Sequence, residues 1–156
     1  MDRLDDRLYR GPAVTRINLV DPKVLSDQHL FAEWREMPRV ATELRKRLVK
    51  GPFVQTLDSY RMGTGHMLFF YDKMGFLEKR YRKIVRELKR RNYSFTEYED
   101  NPFSGFDEQY SKPYRPSIEE VNTSKKRLVE KLDMRPNWYR HFGDVKSSTY
   151  FKGLLE

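Results

Sequence analysis

The stretch DQHLFAEWREMPRVATELRKRL, residues 27–48, decides the fold class. Leu30, Trp34, Met37, Ala41, Leu44 and Leu48 recur at steps of four and three, the spacing of one buried helical stripe. Asp21-Pro22 offers an entry, an N-cap acceptor followed by a proline at the first helical position, and Ser26 and Asp27 offer a second. Pro38 lies inside the pattern. It lacks an N–H and crowds the preceding turn, so a kink is expected between Trp34 and Pro38. Gly51-Pro52 closes the element.

Working outward, residues 52–68 are poor in periodic apolar residues and contain Gly63 and Gly65, a loop pattern. A second helix is expected from Asp72 to Asn92, with Phe70, Met74, Leu77, Tyr81, Val85 and Leu88 facing inward. Its other face holds Lys79, Arg82, Lys83, Arg86 and Arg90; residues 76–93 carry eight basic and two acidic side chains. That face reads as a phosphate-binding stripe, against the plainer possibility of a solvated helix side. After a proline-rich, aromatic stretch at 94–116, Ser117 and Glu120 form a capping-box pattern. They open a third helix with Ile118, Val121, Leu128 and Leu132 inward, stopped at Arg135-Pro136. The expected fold is all-α: one compact domain of three main helices joined by long loops, without convincing strands.

The chain has 156 residues, enough for one core. Lys and Arg number 31 against 23 Asp and Glu, a formal charge of +8, which points to a polyanionic partner. There is no cysteine, which excludes thiol nucleophiles, disulfides and thiolate zinc sites. No apolar run is long enough for a bilayer span, and MDRLDDRLYR lacks a signal-peptide core, so a cytoplasmic protein is expected. Residues 1–14, ending after a Gly-Pro, read as an appendage.

His29, Glu33 and Glu36 fall on one side of the first helix, beside Arg35 and Arg39. A metal site is disfavoured there because the guanidiniums compete for the carboxylates. Arg127, Lys131 and Arg140, with Trp138, Tyr139 and Phe142, form a second basic and aromatic group in which Trp138 and Phe142 are expected to be mostly core. GTGH at 63–66 lacks the Lys-Ser/Thr of a phosphate loop, though its glycines would let a backbone approach DNA. With cysteine absent, a terminal amine is an attractive nucleophile, because its pKa of about 7.7–8 leaves a useful unprotonated fraction at neutral pH.

TRINLV at 15–20, DQHLFAEWREMPRV at 27–40, GTGHMLFFYDKMGFLEKR at 63–80 and RPNWYRHFG at 135–143 together resemble one family. It is the pyrimidine-dimer DNA glycosylase/AP lyase family of phages and bacteria, also called phage-type endonuclease V. The resemblance runs from Thr15 to about Gly143, leaving residues 1–14 as an N-terminal extension and 144–156 as a C-terminal tail. It implies a compact helical monomer that needs neither cofactor nor metal and acts on duplex DNA carrying ultraviolet-induced cyclobutane pyrimidine dimers. Such an enzyme cuts the glycosidic bond of the 5′ pyrimidine and then nicks the strand by β-elimination.

The resemblance assigns the nucleophile to the α-amino group of Thr15 and the catalytic carboxylate to Glu36. It matches Arg16, Gln28, His29, Arg35 and Arg39 to positions that contact damaged DNA, and Arg127 and Lys131 to positions near the phosphates. Gly65, His66, Trp138, Tyr139 and Arg140 fall in regions near DNA. The family's Trp-Tyr-Lys-Tyr-Tyr is Trp138-Tyr139-Arg140-His141-Phe142 here, with a hydroxyl lost. A peptide nitrogen cannot be the nucleophile, since its lone pair is delocalised. The working enzyme is therefore expected to begin at Thr15, with Val14 standing where the family has its initiator methionine. The alternative is a non-catalytic basic DNA-binding protein whose Thr15 amine is blocked by residues 1–14.

Overall fold

The computed structural model describes residues 16–97 and 99–156. The described chain is helical: α1 (Asp27–Glu36), α2 (Pro38–Lys50), α3 (His66–Phe70), α4 (Met74–Arg90), α5 (Ile118–Met134) and α6 (Ser148–Leu155). Two-residue strands β1 (Arg140–His141) and β2 (Asp144–Val145) form a small antiparallel hairpin, the one addition to an otherwise all-α fold. The expected long first helix is two helices, because Pro38 cannot donate to the turn before it. Met37 at the junction keeps helical angles, so the chain bends without leaving the helical path.

Both candidate entries are used. Asp21 caps a one-turn 3-10 helix, Pro22–Val24, through the Lys23 N–H at 2.9 Å. Ser26 caps α1 through the His29 N–H at 3.0 Å. The capping box of α5 is complete: Ser117 accepts from the Glu120 N–H at 3.1 Å, and Glu120 accepts from the Ser117 N–H at 3.0 Å. Glu120 also accepts the Tyr60 N–H at 2.7 Å, which ties the 51–65 loop to this helix start.

α1 packs on α4, and α5 on α6. Leu30, Met37 and Leu44 meet Phe70, Met74, Leu77, Ile84 and Leu88 in a core closed to solvent. Phe151 and Leu155 bring α6 into that core. Two apolar residues depart from expectation. Ile118 is 78% exposed, because the capped first turn of α5 stands clear of the core, and Phe142 is 44% exposed. Gly75 lets the start of α4 press on residues 111–112, where an added Cβ would lie 2.6 Å from the Ser111 carbonyl oxygen.

The C-terminal hairpin is fixed by one buried carboxylate. Asp27 accepts from the Arg91 guanidinium at 2.9 Å, the Tyr93 hydroxyl, the Phe142 N–H at 3.1 Å and the Gly143 N–H at 2.8 Å. Arg91 is wholly buried and also donates to Glu87 and to the Pro22 and Lys23 carbonyls. Phe142 takes a positive φ of 53° there, and its ring lies outward against the guanidiniums of Arg90 and Arg91. Removing one member of such a pair leaves an uncompensated buried charge. Asp27→Ala is expected to destabilise the fold by about 3–5 kcal/mol, read from urea unfolding.

Candidate nucleic-acid interface

Residues 16–20 run as irregular chain through the interior, with Ile17 to Val20 buried and no neighbouring strand. Buried backbone groups need partners, and here side chains supply them. The Ile17 N–H donates to His66 Nε2 at 2.8 Å, and the Ile17 carbonyl accepts from the Tyr60 hydroxyl at 2.8 Å. The Leu19 N–H donates to Ser124 Oγ at 2.9 Å, and the Asn18 side-chain amide donates to Glu33 at 2.8 Å. The Val20 carbonyl accepts from Arg80 at 2.8 Å, while Arg80 also pairs with Glu33. Thus α1, α3, α4, α5 and the 51–65 loop all grip the same four residues.

His66 is 1% exposed, at the first position of α3. Its Nδ1 lies 2.8 Å from the Arg61 carbonyl, which can only accept, so that nitrogen carries the proton and Nε2 is free to receive Ile17. Burial drives its pKa down to about 4; the Arg61 carbonyl opposes the shift, and Arg16 and Arg127 add to it. Gly65 before it holds φ +97°, a glycine conformation, with Arg61 and Leu57 carbons 3.3 Å from where a Cβ would stand. The GTGH turn therefore serves the interior. Both ring nitrogens of His66 are thereby engaged by backbone.

Glu36 ends α1 at the proline break, partly buried, with Arg35 Nε at 3.5 Å and Arg39 at 3.7 Å from its carboxylate. Glu33, on the same side by spacing, instead turns fully inward to Arg80 and Asn18. The break thus leaves Glu36, Arg35 and the exposed Arg39 as a charged cluster at a helix junction.

A second group forms where α1, α5 and the C-terminal hairpin meet. The partly buried His29 ring stacks on Tyr139, centroids 4.6 Å apart, with Nδ1 2.9 Å from Ser26 Oγ. Burial pushes its pKa down to about 3, and Arg127 and Lys131 push in the same direction. Lys131 is itself held below the ordinary lysine value by burial and by Arg127, Arg16 and Arg135, with Glu130 opposing. Arg16, His29, Arg127 and Lys131, far apart in sequence, therefore share one electropositive region. Such a concentration of cations favours an anion.

The remaining expected residues support this region from behind. Gln28 is buried and clamps the hairpin, donating to the Trp138 carbonyl at 3.1 Å and accepting the Arg140 N–H at 2.9 Å. Its amide nitrogen and its oxygen are thereby both bonded to the hairpin backbone. Tyr139 is buried, with its hydroxyl 3.4 Å from the Lys131 carbonyl. Trp138 is half-buried, with the Arg135 guanidinium 4.5 Å above its ring. Arg140 is partly exposed at the start of β1. Thr15 lies outside the described residues. Among the described residues, no group of three or more His, Asp or Glu side chains could hold a metal ion, and no helix is long and apolar enough to cross a membrane.

Tyr60, Ser124 and Arg80 do much of the gripping and are absent from the sequence-derived site, and Glu33, read there as part of the charged cluster on α1, instead holds Asn18 and Arg80. One signal was available: Arg80 stands three residues after Leu77, on the core face of α4. The His66 anchor also makes stability depend on pH. Its folded pKa is below the unfolded value of about 6.5, so its contribution is complete above that value. As pH falls from 6.5 toward 4, on the order of 3 kcal/mol is lost. His66→Gln is expected to flatten that part of the stability profile, measured by urea unfolding from pH 7 to pH 4.

A family model described as pyrimidine dimer DNA glycosylase matches residues 14–100, more than half of the chain. The matched span holds the gripped segment, the Glu36 junction, Gln28, His29 and the GTGH turn, while Arg127, Lys131 and the hairpin lie beyond it. The chain belongs to the pyrimidine dimer DNA glycosylase family.

Proposed function

We propose that the protein is a bifunctional DNA repair enzyme, cleaving the 5′ glycosidic bond of cyclobutane pyrimidine dimers and nicking the strand through an imine on the Thr15 α-amine. The observation that carries this reading is the meeting of Arg16, His29, Arg127 and Lys131 beside a chain held from Ile17 onward. Thr15 directly precedes Arg16, and consecutive Cα atoms lie about 3.8 Å apart. A free amine at that position is tethered beside a phosphate-attracting region, which supplies proximity at little entropic cost.

In the proposed reaction the amine lone pair bonds to C1′ of the 5′ nucleotide. The C1′–N bond breaks, its electrons leave with the base, and the base takes up a proton. Opening of the sugar ring and loss of the amine proton give the imine. Removal of a C2′ proton then expels the 3′ phosphate, and water releases the amine. Glu36 is the group proposed to stabilise positive charge developing at C1′ and to move protons in these steps. Arg35 and Arg39 hold its carboxylate from both sides. Extrusion of the base opposite the lesion would open the duplex there, in keeping with the general logic of base flipping.

Two measurements test this. A chain beginning at Thr15, incubated with dimer-containing duplex and sodium borohydride, is expected to give a covalent complex. The chain beginning at Met1 is expected to give none, and equal trapping by both would contradict an amine at Thr15. Glu36→Gln is expected to lower nicking by at least about 10²-fold while retaining binding to dimer DNA. Near-normal nicking in that variant would remove Glu36 from the chemistry. If the Thr15-initiated chain binds dimer DNA without trapping or nicking, the alternative of a non-catalytic DNA-binding protein holds.

A further inference from the structure

The basic stripe of α4 is separate from the residues assigned to the lesion. Lys79, Lys83 and Arg86 are exposed on one side of the helix. With Lys23 and Arg115 they line an open groove of about 1020 Å³ between α4, residues 19–23 and residues 113–116. Among the described residues, no carboxylate pairs with any of these five cations. Arg82 and Arg90, by contrast, are paired with Glu78 and Glu87. The two acidic residues of the lining are already occupied: Asp21 caps its own turn, and Glu87 is buried against Arg90 and Arg91.

We propose that this groove is a second DNA-binding surface, holding the phosphate backbone of undamaged duplex. Charge selects the occupant. Five cations, none paired with a carboxylate among the described residues, line the groove together with the rings of Phe76 and Tyr114, which are in edge contact with each other. That concentration of positive charge attracts phosphates. The spacing fits: Lys79 to Arg86 spans about 10 Å of helix, close to three phosphates at about 3.4 Å rise along one strand. The groove also begins near the lesion region. Leu19 on its wall is three residues from Arg16, no more than about 11 Å along the chain. A repair enzyme meets mostly undamaged DNA, and sequence-independent backbone contacts hold it there while it moves. The inference rests on the proposed function only in taking DNA as the polyanion.

The test is the salt dependence of binding to an undamaged duplex. Lys79→Gln, Lys83→Gln and Arg86→Gln combined are expected to reduce the slope of log K against log salt by about 3. A control triple on α2, Lys46→Gln, Arg47→Gln and Lys50→Gln, removes equal charge and is expected to reduce it by less than about 1. Equal effects of the two triples, or an unchanged slope in the first, would overturn the groove. So would an unchanged slope accompanied by lost binding to phosphatidylserine vesicles, which would make it a lipid surface. Nicking of dimer DNA by the unsubstituted chain beginning at Thr15 is measured in parallel. Failure to nick with the slope effect intact would overturn the repair reading and support the groove.

Discussion

The structure depends on how a buried, strandless piece of backbone is satisfied. Residues 17–20 cross the interior without a sheet, so their polar groups would each cost free energy if unpaired. Four side chains from four parts of the fold meet that demand, His66, Tyr60, Ser124 and Arg80, and Glu33 adds a bond to the Asn18 side chain. The chain just after Thr15 is thereby tied to the helices that carry Glu36 and Arg127. His66 must stay neutral to accept the Ile17 N–H, and its burial ensures this at physiological pH.

The distribution of charge follows from the same demand. Four acidic residues are buried among the described residues, Asp27, Glu33, Asp72 and Glu87; Asp72 pairs with Lys73, and the others engage arginine: Arg91 for Asp27, Arg80 for Glu33, and Arg90 and Arg91 for Glu87. Buried ion pairs are more a means of holding geometry than of adding stability. Here they fix segment 17–20 on one side and the C-terminal hairpin on the other. In a chain of formal charge +8, these buried pairs leave further cations in the partly buried Arg16–Arg127–Lys131 region and exposed along α4.

Much of this was legible. The stripe from Leu30 to Leu48, the Pro38 break and the caps at Ser26 and Ser117 follow from local chemistry, and they place Glu36 at a helix junction. Ile118 misled because helical spacing says nothing of where a helix begins to touch its neighbours; α5 makes that contact from Val121 onward and is buried at Ser124 and Leu128. Phe142 misled because Asp27 holds the N–H groups of residues 142 and 143, which sets a left-handed turn and sends the ring outward. Gln28 and His66 were legible as important, whereas their bonds to distant backbone were not. A polar side chain that pairs with distant backbone has the same sequence signature as one that meets a ligand. Tyr60 and Ser124 had no signature, since their partners lie 43 and 105 residues away.

The most direct measurement locates the covalent bond. The borohydride-reduced complex between the chain beginning at Thr15 and dimer DNA is digested with nuclease and protease, and the adduct-bearing peptide is sequenced by mass spectrometry. The expected result is a reduced sugar remnant on the α-nitrogen of Thr15. An adduct on a lysine side chain, with the Thr15 amine unmodified, would contradict the proposed nucleophile.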